Sequence, residues 1–502
     1  NDPYLGNTHT ADHTILVPVF WEGEHVFTAC AKAHQADCGN SDPSTYMPYA
    51  TDLYNEGGLN FPCVRIQRDY KDVEDIIRMC RRRIRVPDMW YGDYLAMVGA
   101  ARIGERRIKD LIERYGLDTV REFTREWLDY SERRIAHEIS KLPRTRLTAH
   151  SAHDPMPGLP DGVPVNVTLD IDPDAGRITV DLRDNVDCVP SGINLSRCSA
   201  IAGAAIGIFN CLDSDIPHNA GVFRRIDVQI REGSAVGGLT FPHSASMATT
   251  NILNRLINPV QAAFAQLGDG QGMAEGAGAM GVGYAVFSGT DPKTGEPYVN
   301  QLVSGNNGGP ATPVADGWVT YAMPDCAKTI YIDSLELLEQ KYPLRFRSYR
   351  LLPDTGGPGR RRGGPASEIV YGPKRGTMQA FYFADFAIHP PEGVLGGGPG
   401  ALASARKLEA DGTETELAPI GDATLEPGEW VVGIEAGGGG YGDPLEREPE
   451  LVRADVLERW VSREAAERDY GVIFTGDVDD ESLAVDVEQT KARREALRGG
   501  RE

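Results

Sequence analysis

NDPYLGNTHTAD (residues 1–12) and AHQAD (residues 33–37) are the two stretches that decide how the chain begins to fold. Each contains a His-x-x-Asp unit, which starts at His9 in the first stretch and at His34 in the second. Between them, two apolar runs flank a Glu-Gly-Glu turn at residues 22–24, which is the pattern of a β-hairpin. A hairpin brings the outer ends of its two strands together, so both units are expected to meet at its open end.

These two units predict a site for a divalent metal ion. His9, Asp12 and His34 supply three ligands, a number that leaves a coordination position open for water, as catalytic sites do. Imidazole and carboxylate ligands suit zinc, manganese or iron. Asp37 is expected to be a fourth ligand or to orient His34 through a hydrogen bond. The residue types alone fit a second interpretation equally well, a polar loop whose side chains only hydrogen-bond one another.

A different metal site would use two thiols. Cys30, His34, Asp37 and Cys38 have the spacing that places four side chains on one face of a helix. The apolar residues at 26–27 favour a strand here instead, and cysteine is commonly a small buried hydrophobic residue. The thiolate site is therefore the less favoured alternative.

Length and composition are those of a soluble protein with more than one core. The 502 residues, 41% hydrophobic and 25% charged, are enough for two or three cores. The net charge of -22 argues against nucleic acid or an anionic membrane as the main partner, because phosphate binding requires clustered cations. No apolar run approaches the ~20 residues of a membrane span. Eight cysteines without a Cys-x-x-Cys pair, and no visible signal peptide, predict a cytoplasmic protein.

The periodicity of the apolar residues predicts the α+β class, as a mixed multi-layer architecture in four regions. Residues 1–70 are expected to form the metal-site hairpin and its loops, and residues 71–150 a helical segment. Residues 151–445 are expected to form a β-rich α+β core with glycine-rich loops. Residues 446–502 are expected to form an acidic helical C-terminal tail.

Individual elements follow from local patterns. Apolar residues recur at helical spacing in five segments, which predicts helices at 72–85, 93–115, 118–141, 199–212 and 251–267. Strand-like segments are predicted at 61–66, 163–170, 177–182, 222–228, 318–322, 349–352, 369–371, 378–383 and 430–434.

Two glycine-rich loops, at 354–359 and 437–442, match neither the Gly-x-x-x-x-Gly-Lys-Ser/Thr nor the Gly-x-Gly-x-x-Gly phosphate-binding pattern. The sequence therefore predicts no ATP site on this chain. Such loops either form tight structural turns or let the backbone of a substrate or partner approach closely. No Gly-x-Ser-x-Gly occurs, which argues against a hydrolase with a nucleophile elbow.

Several motifs, in order along nearly the whole chain, carry a resemblance to a known family. They are NDPYLGNTHTAD at 1–12, AHQAD at 33–37 with Gly39, YNEGGL at 54–59, GERR at 104–107, DTGGPG at 354–359 with RGG at 362–364, and GGGGYGDPL at 437–445. In these motifs the chain resembles the hydantoinase B/oxoprolinase family. Several matches together are far more specific than any one of them.

The resemblance implies a B-type subunit of an ATP-dependent hetero-oligomeric complex. Such complexes open cyclic amides (hydantoins, 5-oxoproline, lactams) or, in another branch, carboxylate ketones such as acetone and acetophenone. A companion hydantoinase A-type subunit is implied, which binds ATP and phosphorylates the substrate oxygen. The B-type subunit is implied to carry a divalent metal ion, zinc or manganese, with ligands that map onto His9, Asp12 and His34.

Three functions follow as hypotheses. The favoured one is hydrolysis of a cyclic amide: a metal-bound water, its pKa lowered toward ~7, attacks the phosphorylated substrate. Asp37 or Asp2 would take the proton or orient a histidine. The second is a ketone carboxylase subunit that uses bicarbonate, and the third is a non-catalytic scaffold for the ATP-binding subunit.

Two departures from the family pattern leave the substrate open. Family members usually have a further segment before the Asn-Asp-Pro motif, with an acidic residue expected to reach the metal, whereas this sequence starts at the motif. Residues 323–328 also differ from the Thr-Asn-Thr-Pro pattern of typical members.

Overall fold

The computed structural model describes residues 1–326, 331–480 and 482–500, so residues 327 and 328 of the departure noted above lie outside the described residues. Its helices are α1 Leu53–Glu56, α2 Glu74–Arg83, α3 Pro87–Tyr115, α4 Leu117–Ser140, α5 Arg197–Phe209, α6 Ile252–Ala265, α7 Leu335–Lys341, α8 Pro449–Leu457, α9 Arg463–Asp469 and α10 Val487–Gly499. Its strands are β1 Asp12–Trp21, β2 Glu24–His34, β3 Gln67–Arg68, β4 Lys71–Asp72, β5 Thr145–His153, β6 Val163–Asp172, β7 Arg177–Asp181, β8 Ile226–Gln229, β9 Val286–Thr290, β10 Pro297–Gln301, β11 Leu344–Leu351, β12 Ser367–Pro373, β13 Met378–Phe383, β14 Ser404–Leu408, β15 Glu414–Glu416, β16 Ile420–Leu425, β17 Trp430–Ile434, β18 Phe474–Thr475 and β19 Ala484–Val485. This mixture of helices and several small sheets confirms the α+β class.

The N-terminal hairpin is confirmed. β1 and β2 pair in antiparallel register, with Asp12 opposite His34 at the open end. Glu22 and Gly23 at the turn both have a positive φ, 49° and 84°, as a tight connection between right-handed twisted strands requires. Helix α3 packs across both strands. The strand register, with a one-residue shift between Val19 and Phe20, therefore sets Asp12 beside His34.

Helices α2, α3 and α4 form the segment next to the hairpin, and two of them begin at other residues than predicted. α3 begins at Pro87, earlier than residue 93, because the fixed φ and missing N–H of proline suit the first turn of a helix. α2 begins after Val73, because the Asp72 carboxylate accepts hydrogen bonds from the Tyr94 hydroxyl (2.7 Å) and the Gln67 amide (2.8 Å) and does not cap the helix.

Two predicted strands are wrong, those at 61–66 and 318–322, both in described parts of the chain. In the first, Pro62 has no N–H to donate and Cys63 takes a φ of 60°, which interrupts an extended strand. In the second, Thr320 has a φ of 64°, and only an isolated bridge forms between residues 307 and 321. The sequence pattern therefore does not predict a strand correctly where a residue such as Cys63 or Thr320 takes a positive φ.

The central layer is a four-stranded sheet in the order β5-β6-β7-β8, in which only β7 and β8 are parallel. β6 and β7 are the hairpin that the sequence predicts. Helices α5 and α6 pack on each other, and α6 lies against β5 and β6. Every residue of α6 except Ala262 is buried, so this helix forms the centre of the largest hydrophobic cluster.

Two further sheets complete the core, with the strand orders β10-β9-β13-β16 and β11-β12-β17-β14-β15. The predicted strands at 349–352, 369–371, 378–383 and 430–434 fall in or overlap β11, β12, β13 and β17. C-terminal to them, α8, α9 and the short β18–β19 pair enclose a separate cluster of buried side chains. Across the described part of the chain, no helix has the length and apolar character to cross a bilayer.

The glycine-rich loops pack on each other, backbone against backbone. The Gly357 N–H donates to the Gly438 carbonyl (2.8 Å), the Gly438 N–H to Gly364 (3.0 Å) and the Gly364 N–H to Gly309 (2.8 Å). A Cβ atom on Gly438 would lie 1.9 Å from the Gly309 carbonyl oxygen. Of the two interpretations of these loops, the structural one therefore accounts for the glycines, since the backbones that approach closely belong to this chain.

Candidate metal centre

The predicted ligands converge at the open end of the hairpin. His9 lies in the turn that precedes β1, where the Asp12 N–H donates to the His9 carbonyl (3.2 Å). Asp12 begins β1 and His34 ends β2. The Gln35 N–H donates to the Ala11 carbonyl (3.0 Å), which holds the two strand ends together. Local turn geometry places His9 on Asp12, and strand pairing places His34 there.

Three side-chain atoms face one another at this point. Asp12 Oδ1 lies 3.1 Å from His9 Nε2 and 3.3 Å from His34 Nδ1. The candidate ligand atoms of the three residues all lie within 4.8 Å of one another. His9 is fully buried, Asp12 nearly so, and His34 is partly exposed. Two nitrogens and one carboxylate oxygen in this arrangement are a donor set for a divalent cation.

His9 is held in the tautomer that a metal ligand needs. Its Nδ1 lies 2.6 Å from the Ser246 carbonyl, which can only accept, so Nδ1 carries the proton and donates it. Its Nε2 is thereby directed at Asp12 Oδ1, 3.1 Å away, and is the atom that carries a proton or, in its place, binds a cation. An imidazole fixed through one nitrogen, with the other nitrogen free, is the usual arrangement of a metal-binding histidine.

His34 is held through its Nε2, whereas His9 is held through its Nδ1. The Nε2 of His34 lies 3.0 Å from the Thr45 hydroxyl, which leaves Nδ1 to face Asp12. The ring also stacks on Tyr46, with the centroids 5.0 Å apart and the planes 18° apart. Thr45 and Tyr46 together fix both the rotation and the tilt of this imidazole.

The two carboxylate oxygens of Asp12 have different contacts. Oδ2 accepts a hydrogen bond from the Thr8 hydroxyl and lies 3.2 Å from the Lys32 ammonium. Oδ1 faces the two imidazoles. The carboxylate is therefore anchored through one oxygen while the other remains directed at the cluster.

The electrostatics of the three groups favour a positive charge between them. Burial by itself would raise the pKa of Asp12, but His9 and His34 hold it far below its usual value. Burial would lower the pKa of His9, but the charge and hydrogen bonding of Asp12 raise it above the usual value. Burial lowers the pKa of His34, which keeps that imidazole neutral and able to bind a cation. The residues present fit a bound divalent ion.

The predicted proton acceptors lie outside this group. Asp37 is buried, and its carboxylate accepts hydrogen bonds from the backbone N–H groups of Arg85 (2.6 Å) and Gly39 (2.9 Å) and lies 3.1 Å from the Arg85 guanidinium. Asp2 accepts a hydrogen bond from the Tyr4 N–H (2.8 Å) and caps the turn Pro3–Leu5. Both carboxylates are occupied in local structure, and their catalytic roles stay predictions without support from these contacts.

The thiolate alternative is wrong, because it requires a helix where β2 is a strand. Cys30 is exposed on that strand, and Cys38 is buried beside His13 and the Thr10 carbonyl. His13 points away from the cluster, and burial lowers its pKa to about 3.

Sequence reasoning missed the residues that support the ligands. Thr45, Tyr46 and Ser246 have no motif spacing relative to the histidines, since Ser246 is 237 positions from His9 in the chain. Glu56 belongs to the quoted YNEGGL motif and could have been singled out as a buried acid. Its carboxylate accepts hydrogen bonds from the hydroxyls of Thr10 and Ser244, the latter at 2.7 Å, and burial raises its pKa.

A fold of this kind, with a three-ligand site at the hairpin end, can be compared with known proteins. The model of the hydantoinase B/oxoprolinase family matches residues 1–444. The chain therefore belongs to the hydantoinase B/oxoprolinase family, and the resemblance seen in its motifs is confirmed.

The relatives of the chain are named for enzymes that act on a lactam, on hydantoins or on a ketone. The caprolactamase beta subunit of Pseudomonas jessenii is 29% identical over 95% of this chain and 82% of that protein. The crystal structure of the ATP-dependent caprolactamase from that organism superimposes with a TM-score of 0.87 at 28% identity, over 99% of this chain and 84% of that one. The B-type subunit of a putative D-/L-hydantoinase from Pseudomonas sp. (strain NS671) is 29% identical over 98% of this chain and 83% of that protein. The acetophenone carboxylase delta subunit of Aromatoleum aromaticum (strain EbN1) is 26% identical over 99% of this chain and 76% of that protein.

Proposed function

We propose that this chain is the metal-carrying B-type subunit of an ATP-dependent hydrolase of cyclic amides such as lactams, hydantoins or 5-oxoproline. The observation that carries the proposal is the convergence of His9 Nε2, Asp12 Oδ1 and His34 Nδ1. The family membership and the relatives named for caprolactam and hydantoin chemistry support the substrate class.

The metal ion is proposed to be zinc or manganese, held by these three residues. When bound, such an ion supplies Lewis-acid chemistry and lowers the pKa of water toward ~7. The chain's own residues do the positioning: Ser246 and Thr45 hold the second nitrogen of each imidazole, and Lys32 neutralises the outer oxygen of Asp12. The buried side of the site, formed by His9 and the ring of Tyr46, keeps bulk water to the side of His34.

ATP is proposed to bind on a partner subunit of the hydantoinase A type. The sequence has no phosphate-binding motif, and its glycine-rich loops donate their N–H groups to one another. An unactivated ring amide resists attack because resonance reduces the electrophilicity of its carbonyl carbon. Phosphorylation of the carbonyl oxygen by the partner would remove that protection before the substrate meets the metal centre.

The test is to purify the chain with its partner subunit and to measure metal content and ATP-dependent ring opening together. We expect His34→Ala to lose nearly all bound metal and all turnover. His25→Ala is the matched control, since His25 lies exposed on the same strand and contacts Thr28 and the Phe20 ring, away from the candidate metal centre. Full metal occupancy in the His34→Ala protein would exclude the proposed ligand set.

The same preparation separates the alternative functions. ATP consumption that requires both a ketone and bicarbonate would replace hydrolysis by the ketone carboxylase reaction, to which the acetophenone carboxylase relative points. Unchanged ring opening after the metal has been stripped would instead support a scaffold role. Metal-dependent ring opening without bicarbonate is the result that supports the proposal.

A further inference from the structure

A second group of polar side chains, three of them buried and one partly buried, belongs to the C-terminal half of the chain. Four of its atoms lack a hydrogen-bond partner among the described residues: Asp325 Oδ1, Tyr284 OH, Ser304 Oγ and Glu435 Oε2. Buried polar atoms are nearly always paired, because an unpaired one costs about 1–3 kcal/mol. Four together indicate a place that receives a polar ligand. We call these four residues the acidic pocket.

Backbone contacts place three of the four residues together. The Ser304 N–H donates to the carbonyl of Gly283 (3.0 Å), next to Tyr284, and the Gly283 N–H donates to Glu435 Oε1 (2.9 Å). A Cβ atom on Gly305 would lie 2.7 Å from the Tyr284 ring and 3.1 Å from Glu435 Oε1. A side chain at position 283 or 305 would crowd Glu435, so glycine at both positions leaves space for its carboxylate. The second oxygen of that carboxylate has no hydrogen-bond partner among the described residues.

Asp325 connects the acidic pocket to the metal centre. It lies in the turn Pro324–Cys326, and the preceding Met323 packs in the same buried cluster as Tyr46 and Tyr284. Tyr46 in turn stacks on His34. The charge of Asp325 contributes to raising the pKa of both Tyr46 and Tyr284, and the charge of Asp12 contributes to raising that of Asp325, so these groups share one electrostatic environment.

The acidic pocket contains two carboxyl groups without a counterion in the part of the chain that the structure describes. Among the residues described, neither Asp325 nor Glu435 forms an ion pair, in contrast to Asp12 with Lys32. Burial raises the pKa of each carboxyl to about 7, so each is ionised in part of the molecules at neutral pH. A ligand that brings N–H donors relieves both carboxylates, whereas a ligand that brings a carboxylate meets like charges in a buried site.

We propose that the acidic pocket is the substrate subsite of the metal centre and that it selects uncharged cyclic amides, through their N–H groups, over cyclic amides that carry a carboxylate. This inference rests on the proposed function and narrows its substrate class. Lactams and hydantoins fit the pocket, and 5-oxoproline, an anion at neutral pH, does not. Asp325 and Glu435 are the residues that determine this specificity.

The test compares 5-oxoproline with its carboxamide, which has nearly the same shape and no charge. The holo complex is used, and binding is measured by calorimetry without ATP, alongside ring opening with ATP. We expect the carboxamide to be favoured at least about tenfold in affinity, because like charges at a buried contact are strongly unfavourable. Asp325→Asn and Glu435→Gln are each expected to narrow that preference severalfold while the metal content stays at the wild-type level.

Glu275→Gln is the matched control. Glu275 is also a buried carboxyl whose pKa burial raises to about 7, but it lies near Arg255 and accepts from the Glu392 N–H. Its replacement should leave the preference unchanged. Equal binding of the two ligands, tighter binding of 5-oxoproline, or a preference that neither Asp325→Asn nor Glu435→Gln alters would overturn the inference.

Two further results would distinguish a failure of the proposed subsite from a failure of the proposed function. Metal-dependent ring opening with 5-oxoproline as the better substrate would retain the function and reject the subsite. A carboxamide preference that depends on Asp325, without ring opening of any cyclic amide, would retain the subsite and reject the function.

Discussion

Replacing Thr45 by valine removes one hydroxyl from behind the metal centre and changes little else. The Thr45 hydroxyl lies 3.0 Å from His34 Nε2, and the residue is buried, so no water replaces it easily. Valine has nearly the same shape. The substitution therefore tests whether this hydrogen bond sets the tautomer and orientation of His34.

The expected effect is a loss of about 10–100-fold in metal affinity, the usual range for partners that hold the second nitrogen of a ligating histidine. This corresponds to about 1.4–2.7 kcal/mol of binding free energy. The loss arises because the free Nε2–H of His34 is left buried and unpaired, and because the ring can then rotate Nδ1 away from Asp12. Stacking on Tyr46 limits that rotation, so the upper end of the range is not exceeded.

The chain contains its own control for this measurement. Thr28 and His25 form the same hydroxyl–imidazole contact, also at 3.0 Å, on the exposed part of the hairpin. Metal affinity is measured by competition with a chelator of known affinity, and thermal unfolding of the metal-free proteins checks that both variants fold. An affinity of Thr45→Val equal to that of Thr28→Val would refute the reasoning that His34 is oriented from Nε2.

Three further predictions concern the stability of the folded chain outside the candidate metal centre. Gly438→Ala should destabilise the protein by about 1–3 kcal/mol or more, since its Cβ would overlap a carbonyl oxygen, whereas Gly99→Ala, on an open helix face, should stabilise by ~0.5–1 kcal/mol. Arg255→Met should cost about 3–5 kcal/mol, because it leaves the buried Asp385 carboxylate (2.7 Å from the guanidinium) unpaired. Burial raises the pKa of Glu435 from 4.5 to about 7, so the folded state holds the extra proton and wild-type stability falls as pH rises through this window. Glu435→Gln should remove that contribution, up to ~1.4 kcal/mol per pH unit. Urea unfolding, at pH 5 and pH 7 for the last variant, measures all three.

Each of these has an outcome that contradicts it. Equal tolerance of alanine at 438 and 99 would mean that the glycine-rich loops separate in solution. An Arg255→Met protein as stable as wild type would mean that Asp385 finds another partner. Parallel stability curves for wild type and Glu435→Gln between pH 5 and pH 7 would mean that Glu435 is not protonated in the folded state.

The convergence of the three candidate metal ligands could be predicted from the sequence, because they are brought near one another by a local turn and by the pairing of two strands. The turn between His9 and Asp12 spans four residues, and the hairpin turn at Glu22 and Gly23 brings the outer ends of β1 and β2 together. A bulge between Val19 and Phe20 then shifts the register by one residue, so that Asp12 lies opposite His34. A period of two and a short turn are visible in any single sequence. They predict that the two His-x-x-Asp units meet, whereas the bulge that sets Asp12 opposite His34 is seen only in the structure.

Asp37 shows where the same reasoning fails. The two His-x-x-Asp units look equivalent as sequence, but the first is a compact turn, whereas the second begins at the last residue of β2 and continues into a loop with a bend at Ala36. This loop carries the Asp37 carboxylate to Arg85, which follows the C-terminal end of α2. Spacing in a sequence becomes a distance only once the backbone conformation is known.

The supporting residues could not be predicted at all, for a different reason. Ser246 and Thr45 act through a carbonyl and a hydroxyl that nearly every protein has in abundance, and their positions depend on the packing of distant segments. The same holds for the acidic pocket, whose four residues come from separate loops and are united only by the sheets of the C-terminal half. The contacts that these residues make depend on the tertiary structure and cannot be predicted from spacing in the sequence.

The second nitrogens of the two ligating histidines are held from different parts of the molecule, and this ties metal binding to the fold. Thr45 belongs to the loop that follows the hairpin, while Ser246 lies just before α6, the buried helix at the centre of the largest core. His9 can therefore keep its Nε2 directed at Asp12 only while the hairpin stays docked on the segment before α6. A cation that binds His9, Asp12 and His34 stabilises that docked arrangement by the free energy of its own binding. The candidate metal centre thus lies where the N-terminal hairpin meets the core.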